Sequence, residues 1–416
     1  MRSLSFLLLA AAGLAAQTLT LESALELAAK QNPGIQLSRL RVLERRAQTD
    51  ALRAGHLPQA DLLVSATRQT NNLQGIGLLF PGFPSRIGPF RTFNARPVVS
   101  QKVVDLPLLA SVRAARHSES AAARDVEAVR EQTQAAVISL FLETFQAQSR
   151  LRAAGARLQT AESLLAQTIE REKAGAASQL DLARHRQRRE VEQTEQIAAE
   201  QDLAVLRPAL EELLASPLPG ELAEPKLRLT SLESSAQRPD IQAARDRVKA
   251  AEQDLVRARR ARWPQLTALA DYGLLGAGPD AAIATYNIGA TLQIPLWTSG
   301  RLEAEIRSTT LRLEQAKQEV QRLQLAAARQ AAQAQTSFAA QTRAEATAAA
   351  AARSARQVLE LTSLRYQSGL ATTLDTVTAQ EALATAEDLE IRCRYQAQLA
   401  LAQLAFAYGD VRTALP

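Results

Sequence analysis

Two hydrophobic periods alternate along the chain, and each predicts a different kind of element. Four segments place an apolar residue at nearly every second position, which is the pattern of a strand with one apolar and one polar face. These segments are 59–70, 93–105, 265–275 and 285–297. Two longer stretches, 108–215 and 300–409, instead repeat Ala and Leu at three- and four-residue steps. That spacing predicts two long helical hairpins whose apolar stripes need neighbours along their whole length.

The same order of elements occurs twice, so the chain is predicted to contain two structural repeats. Pro33 opens a helical stretch that stops at Pro58, and Pro239 opens one that stops at Pro264, in each case 25 residues later. Proline suits the first turn of a helix and interrupts a helix elsewhere. Each repeat is therefore interpreted as a helix of about 36 Å, a strand pair and a long hairpin. The predicted divisions are 17–215 and 238–409 for the repeats, 216–237 for an equatorial linker and 410–416 for a C-terminal tail.

The long hairpins turn at two matching sequences. Their first helices are predicted from Leu108 to Lys173 and from Arg301 to Gln367, about 100 Å each. In each turn, a glycine can end one helix and a hydroxyl side chain can cap the next. The turns comprise Ala174, Gly175, Ala176, Ala177 and Ser178 in the first repeat and Ser368, Gly369, Leu370, Ala371 and Thr372 in the second. The return helices, of about 40 residues, are shorter, so the 25-residue helices are expected to complete their length.

The predicted strands have the length expected of a tilted bilayer crossing. Four strands do not close a barrel, and lipid does not tolerate an open sheet edge. The chain is therefore expected to contribute its strands to a larger, closed barrel made with other protomers.

Residues 1–16 are interpreted as a secretory signal peptide. Arg2 supplies a positive charge, Phe6 to Leu14 form a short apolar run, and Ala15 and Ala16 provide a small-residue cleavage site. We expect an exported protein. Cys393 is the single cysteine, so no disulfide forms within one chain. Because it lies far from the signal segment, we expect no lipid anchor and a small buried side chain on a helix.

Composition and motif content argue against several functional classes. Aromatic residues make up 4% of the chain, and the net charge of +6 is spread among interspersed acidic and basic residues. Solvated helix faces and no nucleic-acid partner are therefore expected. His56, His117 and His185 lack the spacing of metal ligands, and no phosphate loop, dinucleotide fingerprint or nucleophile elbow is present. We expect no enzyme activity, no metal and no cofactor.

Together these motifs resemble those of the outer-membrane efflux family typified by TolC. The resemblance rests on the paired openings Pro33-Gly34-Ile35 and Pro239-Asp240-Ile241 and on the paired Gly-x-x-[Ser/Thr]-x-Leu-Asp turns. It covers essentially the whole mature chain. It implies a mainly α fold with a membrane β-barrel portion. A long α-helical coiled-coil barrel would be joined to four β-strands per protomer, so that a homotrimer forms a twelve-stranded barrel.

The function that this resemblance implies is a passive exit duct in the outer membrane that extends into the periplasm. Such a duct belongs to a tripartite efflux or type I secretion system. Its partners would be a periplasmic adaptor, an inner-membrane pump of the RND or ABC type, and the outer-membrane lipid around its strands. Small molecules, metals and polypeptides are all possible cargo.

The resemblance also implies roles for residues at the turns. Both turns match positions that dock adaptor hairpins. Asp375 matches an acidic ring at the pore entrance, where three carboxylates would attract cations. A second acidic position of that ring is Thr378 here, which weakens the ring. Tyr366 and Asp181 match a hydrogen-bonded latch that keeps the entrance closed, although the family's nearby gating arginine falls on Ala371.

Two other interpretations account for part of the pattern. A periplasmic adaptor is also exported and carries a helical hairpin, but normally one hairpin between Gly-rich β halves rather than two hairpins with two strand pairs. An extended structural coiled coil would explain the long helices and leave the strands and proline-bounded repeats without a role.

Overall fold

A computed structural model describes residues 18–73, 75, 77, 84–218, 220–228 and 238–410. The predicted signal peptide lies outside these residues, as do positions 229–237 of the predicted linker and all but the first residue of the predicted tail. None of the described helices combines the length and apolar character needed to cross a bilayer.

The described elements are mainly helical and follow one another in two similar series. In chain order they are α1 Leu21–Gln31, α2 Pro33–Ala54, β1 Gln59–Asn72, β2 Arg86–Val104, α3 Leu106–Lys173, α4 Gln179–Leu214, α5 Pro239–Arg260, β3 Gln265–Gly276, a 3₁₀ turn Pro279–Ala281, β4 Ile283–Gln293, α6 Arg301–Gln367 and α7 Thr373–Tyr408. The predicted combination of long helices and four strands in two repeats is confirmed.

Several element boundaries differ from the sequence prediction. Strand β2 begins at Arg86 rather than at 93, because its Gly-Pro-containing start pairs with the end of β1 across an irregular register. Strand β4 ends at Gln293 rather than at 297, since Pro295 has no N–H for the ladder. The return helices α4 and α7 have 36 residues each instead of about 40. Helix α1 was not predicted as a separate element.

The chain divides into two compact units. The helical unit comprises the described residues of 1–40, 124–242 and 321–416, and the sheet unit comprises 41–123 and 243–320.

The sheet unit contains one antiparallel sheet in the order β1-β2-β3-β4. Directly opposed residues share a face of a sheet, and on one face the register opposes mainly apolar residues, with Gln101 opposite Ala268 as an exception. One face therefore carries Ala60, Leu62, Val64, Ala66, Phe93, Ala95, Pro97, Val99, Leu266, Ala268, Ala270, Tyr272, Leu274, Ala284, Tyr286, Ile288, Ala290 and Leu292. Many of these side chains are exposed, including Ile288 at 76%. The alternation predicted strand by strand thus becomes one continuous apolar face.

The opposite face of the sheet is polar at its centre. Arg96 on β2 donates from Nη1 to Oδ1 of Asp271 on β3 over 2.8 Å, and from Nε to Asn94 over 2.6 Å. The Arg96 and Asp271 side chains are only 16% and 7% exposed. Gly273 lies beside this pair, and a Cβ there would stand 2.3 Å from the Cβ of Arg96. Glycine is therefore required at position 273.

The helical unit is held by an apolar cluster that joins α1 and the middle of α3 to the end of α4. Phe141 and Leu142 of α3, Leu210 of α4 and Leu25 of α1 are almost fully buried there. The segment 220–228 packs on the same cluster through Leu222, whose backbone N–H donates to Oε1 of Gln148 over 3.1 Å. This part of the predicted linker also pairs with the chain before α1, as the N–H of Leu19 donates to the carbonyl of Glu221 over 3.1 Å.

Each return helix ends against the first turn of the short helix of its own repeat. In the first repeat, Asn32 precedes α2 and its side chain reaches the carbonyl of Leu213 in α4 over 2.9 Å. In the second, Arg238 precedes α5 and lies against Gly409, the left-handed residue that ends α7. Both contacts lie in the helical unit.

Candidate functional site

The candidate site consists of the two turns that join α3 to α4 and α6 to α7. Gly175 and Gly369 end their helices with φ of +73° and +77°. In the first turn, Gly175 N–H donates to the carbonyl of Glu172, and Ala176 N–H donates to that of Arg171. The second turn repeats this pattern with Gly369 on Tyr366 and Leu370 on Arg365. These are paired Schellman motifs, in which a left-handed glycine satisfies the last helical carbonyls.

The helices that follow the turns begin with matching capping boxes. The Ser178 hydroxyl accepts the Asp181 N–H over 3.1 Å, and the Asp181 carboxylate accepts the Ser178 N–H over 3.1 Å. Thr372 and Asp375 repeat this exchange at 3.2 and 2.8 Å. The Ser-Asp pair of the first turn and the Thr-Asp pair of the second therefore form the same capping geometry.

Both capping carboxylates are held in the charged form. Hydrogen bonds from Ser178, and then from Thr373, lower the pKa of Asp181 below its usual value. Backbone and side-chain hydrogen bonds from Thr372 lower the pKa of Asp375. Asp375 and Thr378 are both exposed, and the Thr378 hydroxyl donates to the carbonyl of Leu374.

The predicted docking residues are small and mostly exposed. Ala177 and Ala371 are half-buried, and the remaining turn residues, Ala174, Gly175, Ala176, Ser178, Ser368, Gly369, Leu370 and Thr372, are exposed. Leu370 is 70% exposed and is the one large apolar side chain among them. The backbone of the turns is thus accessible between small side chains, and Leu370 is the single large apolar side chain exposed there.

The residues of the predicted latch each contact the other turn, but not each other. The guanidinium of Arg171 lies 4.8 Å from the ring centroid of Tyr366, a cation–π contact between the two turns. Asp181 is engaged with Ser178 and Thr373. Among the described residues of one protomer, no hydrogen bond joins Tyr366 to Asp181. Arg171 and Thr373 were not singled out from the sequence, because only the folded structure sets the two turns side by side.

A charged cavity of about 290 Å³ lies further along the same four helices. Glu192 of α4 is 3% exposed and accepts from Nε of Arg157 in α3 over 3.2 Å. It also accepts from Arg188, one helical turn away on α4. Arg157 reaches Asp388 of α7 over 3.4 Å. This network ties three helices together around a buried carboxylate, and no pattern in the sequence predicts it.

A second pair of contacts closes the cavity from the side of α6. Arg356 donates to Glu387 over 3.2 Å and to Glu390 over 2.9 Å, both on α7. The charged side chains that line the cavity are paired with one another. They therefore link the two hairpins rather than presenting an unpaired charge to the cavity.

His185 lies between the turn and this cavity and is 1% exposed. Its Nε2 has no hydrogen-bond partner among the described residues. Burial lowers the pKa of His185, and the nearby Asp181 carboxylate acts in the opposite direction. The imidazole is therefore kept neutral at physiological pH.

Within the described ranges, no group of three His, Cys, Asp or Glu side chains is placed to hold a metal ion. Cys393 is buried on α7, as the sequence predicted.

The chain is similar to known proteins over most of its length. The model of a family described as outer membrane efflux protein matches residues 24–216 and 232–410. The chain is 28% identical over 385 residues to the pyoverdine export outer membrane protein OpmQ of Pseudomonas aeruginosa, covering 88% of this chain and 79% of that protein.

Solved structures show the same fold at lower sequence identity. The outer membrane protein VceC of Vibrio cholerae superposes with a TM-score of 0.80 at 22% identity, covering 94% of this chain and 96% of that one. The CmeC outer membrane channel of Campylobacter jejuni gives a TM-score of 0.83 at 19% identity, covering 94% and 85%.

Proposed function

We propose that this chain, which belongs to the outer membrane efflux protein family, is the passive exit duct of a tripartite efflux or type I secretion system. Its place is the outer membrane, from which it extends into the periplasm. The family is one of efflux channels rather than of enzymes. The match to both repeats also disfavours a periplasmic adaptor.

The continuous apolar face of the sheet is the observation that supports this function best. Strands β1 and β4 pair on one side only within the described chain, and an unpaired edge is costly in lipid. Three copies of a four-stranded sheet joined β4 to β1 would leave no edge and would close a twelve-stranded barrel. The apolar face would meet lipid and the Arg96–Asp271 face would line the interior.

A matched pair of substitutions tests the membrane role of the sheet. Ile288→Lys puts a charge on the apolar face, and Asn287→Lys puts the same charge on the opposite face of the same strand. A charge facing the bilayer midplane costs about 2–4 kcal/mol. We expect Ile288→Lys to reduce recovery of heat-modifiable trimer from the outer membrane and Asn287→Lys to leave it unchanged. A wild-type protein that is monomeric and soluble without detergent would contradict the whole proposal.

The two turns are proposed to dock a periplasmic adaptor that connects the duct to an inner-membrane pump of the RND or ABC type. Their small residues allow close backbone approach, and Leu370 offers an apolar contact. Ala176→Cys and Leu370→Cys should form crosslinks to the adaptor in cells, whereas Ala350→Cys, exposed within α6, should not. The native Cys393 is buried and gives little background. Equal crosslinking from all three sites would argue against docking at the turns.

Asp375 is proposed to form an acidic ring at the duct entrance, without a second carboxylate at Thr378. Asp181 occupies the equivalent capping position of the first repeat, so Asp181→Asn is the control for loss of a cap. In planar bilayers with a salt gradient, Asp375→Asn should reduce cation preference more than Asp181→Asn. Equal effects would assign both residues to capping alone.

The closing latch between Tyr366 and Asp181 stays a prediction for the assembled duct. Tyr366→Phe and Asp181→Ala should raise single-channel conductance if their hydrogen bond holds the entrance shut. Unchanged conductance in both variants would exclude the latch.

For the cargo, two curated relatives are named for pyoverdine export, which favours a small molecule over a polypeptide. Accumulation of candidate compounds in a deletion strain tests this preference.

A further inference from the structure

The end of α5 and the residues after it carry a dense group of basic side chains followed by an aromatic one. Arg257, Arg259, Arg260 and Arg262 fall within six residues and precede Trp263. When the repeats are aligned on Pro33 and Pro239, the equivalent positions of the first repeat are Ala51, Arg53, Ala54, His56 and Leu57. The basic group is therefore a feature of the second repeat alone.

Only part of this charge is neutralised within the sheet unit. Arg257 donates to Glu305 over 2.9 Å, and Arg262 donates to Glu303 over 2.7 Å. Arg259 and Arg260 have no ion pair in the described part of the chain. Arg259 is exposed and Arg260 is half-buried. Two positive charges thus stand next to Trp263 without a counter-charge.

Two exposed indoles lie at this same end of the sheet. Gln265 at the start of β3 pairs with Gln293 at the end of β4, so Trp263 and Trp297 flank one end of the β3–β4 pair. Trp263 is 58% exposed and Trp297 is 86% exposed. Tryptophan favours the interface between lipid and water, where its ring meets acyl chains and its N–H meets polar groups.

We infer that Arg259, Arg260, Trp263 and Trp297, here called the basic–aromatic corner, bind the phosphate headgroups of anionic phospholipids. The inference rests on the proposed function, in which the sheet spans the outer membrane and this end of it faces the periplasmic leaflet. Guanidinium groups bind phosphate through paired N–H donors, and the unneutralised charge supplies the complementarity. The indoles fix the depth at which those arginines meet the headgroups.

The tryptophan content of the chain allows a direct test. Trp263 and Trp297 are the only two tryptophans among 416 residues, so Trp297→Phe and Trp263→Phe each leave one fluorescent reporter. The full-length protein is reconstituted into bilayers that mix brominated phosphatidylglycerol with plain phosphatidylcholine, or the reverse at the same ratio. We expect Trp263 to be quenched more by the anionic brominated lipid, with up to about a fivefold local enrichment per arginine at low ionic strength.

The charge requirement is tested with matched double variants. In the Trp297→Phe background, Arg259→Gln with Arg260→Gln should abolish the preference for phosphatidylglycerol. Arg329→Gln with Arg353→Gln removes two exposed arginines of α6 in the helical unit and should leave the preference intact. Equal quenching by the two lipid mixtures would overturn the inference, and so would a preference that survives loss of Arg259 and Arg260.

Two further outcomes separate this inference from others. If inorganic phosphate at constant ionic strength removes the preference, the corner binds a free anion and the lipid assignment is wrong. If no brominated lipid quenches either tryptophan, the protein is not in the bilayer and the proposed duct fails as well. Quenching without anionic preference would leave the duct standing and reject only the lipid site.

Discussion

Asn32 and Leu213 are joined by a hydrogen bond of 2.9 Å from the Asn32 side-chain amide to the Leu213 carbonyl, although 181 residues separate them in the sequence. The Asn32 oxygen also accepts the N–H groups of Gly34 and Ile35 at the start of α2. One side chain therefore caps the beginning of α2 and satisfies a carbonyl at the end of α4. This contact sets the two helices end to end.

Removing both functions of Asn32 should cost more than removing one. Asn32→Ala loses the cap and the bond to Leu213, and we expect a loss of about 2 kcal/mol in the free energy of unfolding. Asn32→Ser keeps a capping oxygen but does not reach Leu213, so about half of that loss is expected. Thermal unfolding of the detergent-solubilised protein measures both. Equal destabilisation would assign the whole effect to the lost bond to Leu213 and none of it to the cap.

An added methyl group should disturb the sheet at Gly273 and have no effect at Gly289. A Cβ at position 273 would lie 2.4 Å from the Ala95 carbonyl oxygen and 2.3 Å from Arg96 Cβ, whereas a Cβ at 289 meets nothing within 4 Å. Gly273→Ala should disturb the pairing of β2 with β3 and lower the yield of heat-modifiable protein. Gly289→Ala should assemble normally. Normal assembly of Gly273→Ala would contradict the observed closeness of the strands.

Gly369→Ala and Gly155→Ala separate the need for a left-handed residue from the need for space. Neither position has an atom within 4 Å of an added Cβ, but Gly369 has a φ of +77°. We expect Gly369→Ala to destabilise by about 1–2 kcal/mol and Gly155→Ala, inside helix α3, to stabilise by about 0.5–1 kcal/mol. Opposite shifts in the unfolding temperature are the expected result. Shifts of the same sign would contradict this explanation.

The buried carboxylate of Glu192 should be far more sensitive than an exposed one. Glu192→Gln leaves Arg157 and Arg188 without the anion between them, and we expect a loss of about 3 kcal/mol. Glu162, whose side chain is 52% exposed and lies 3.7 Å from Arg189, is the control, and Glu162→Gln should change stability by less than about 1 kcal/mol. Denaturant unfolding of both variants measures the difference. Similar small effects would show that the network is dispensable.

His185 should make the helical unit less stable as the pH falls. Burial lowers the pKa of the folded-state imidazole below its usual 6.5, so folding favours the neutral form. The stabilising contribution is then complete above about pH 6.5 and is lost as the pH falls through the lower folded-state value. His185→Leu and His185→Gln lack this titration, so their unfolding temperatures should decline less between pH 7 and pH 5. Wild-type and variant curves of equal slope would contradict the assignment.

Much of the fold follows from local chemistry alone, without any long-range contact. Period-two segments predicted four strands, and the repeated turn sequences predicted where the long helices reverse. Glycine at 175 and 369 and hydroxyl residues at 178 and 372 specify those turns through backbone conformation and capping alone. The boundaries moved where local signals were ambiguous, as at Arg86, where a Gly-Pro pair that resembles a loop is accommodated at an irregular strand pairing.

Only the tertiary structure decided the features that depend on contacts between distant segments of the chain. The register of the sheet placed the apolar positions of four strands on one face and brought Arg96 to Asp271. The folding of four helices around one cavity buried Glu192 between two arginines, and the proximity of the turns put Arg171 on Tyr366. Periodicity and capping act over a few residues and are visible in sequence, whereas these pairings join residues on different elements and follow from packing alone.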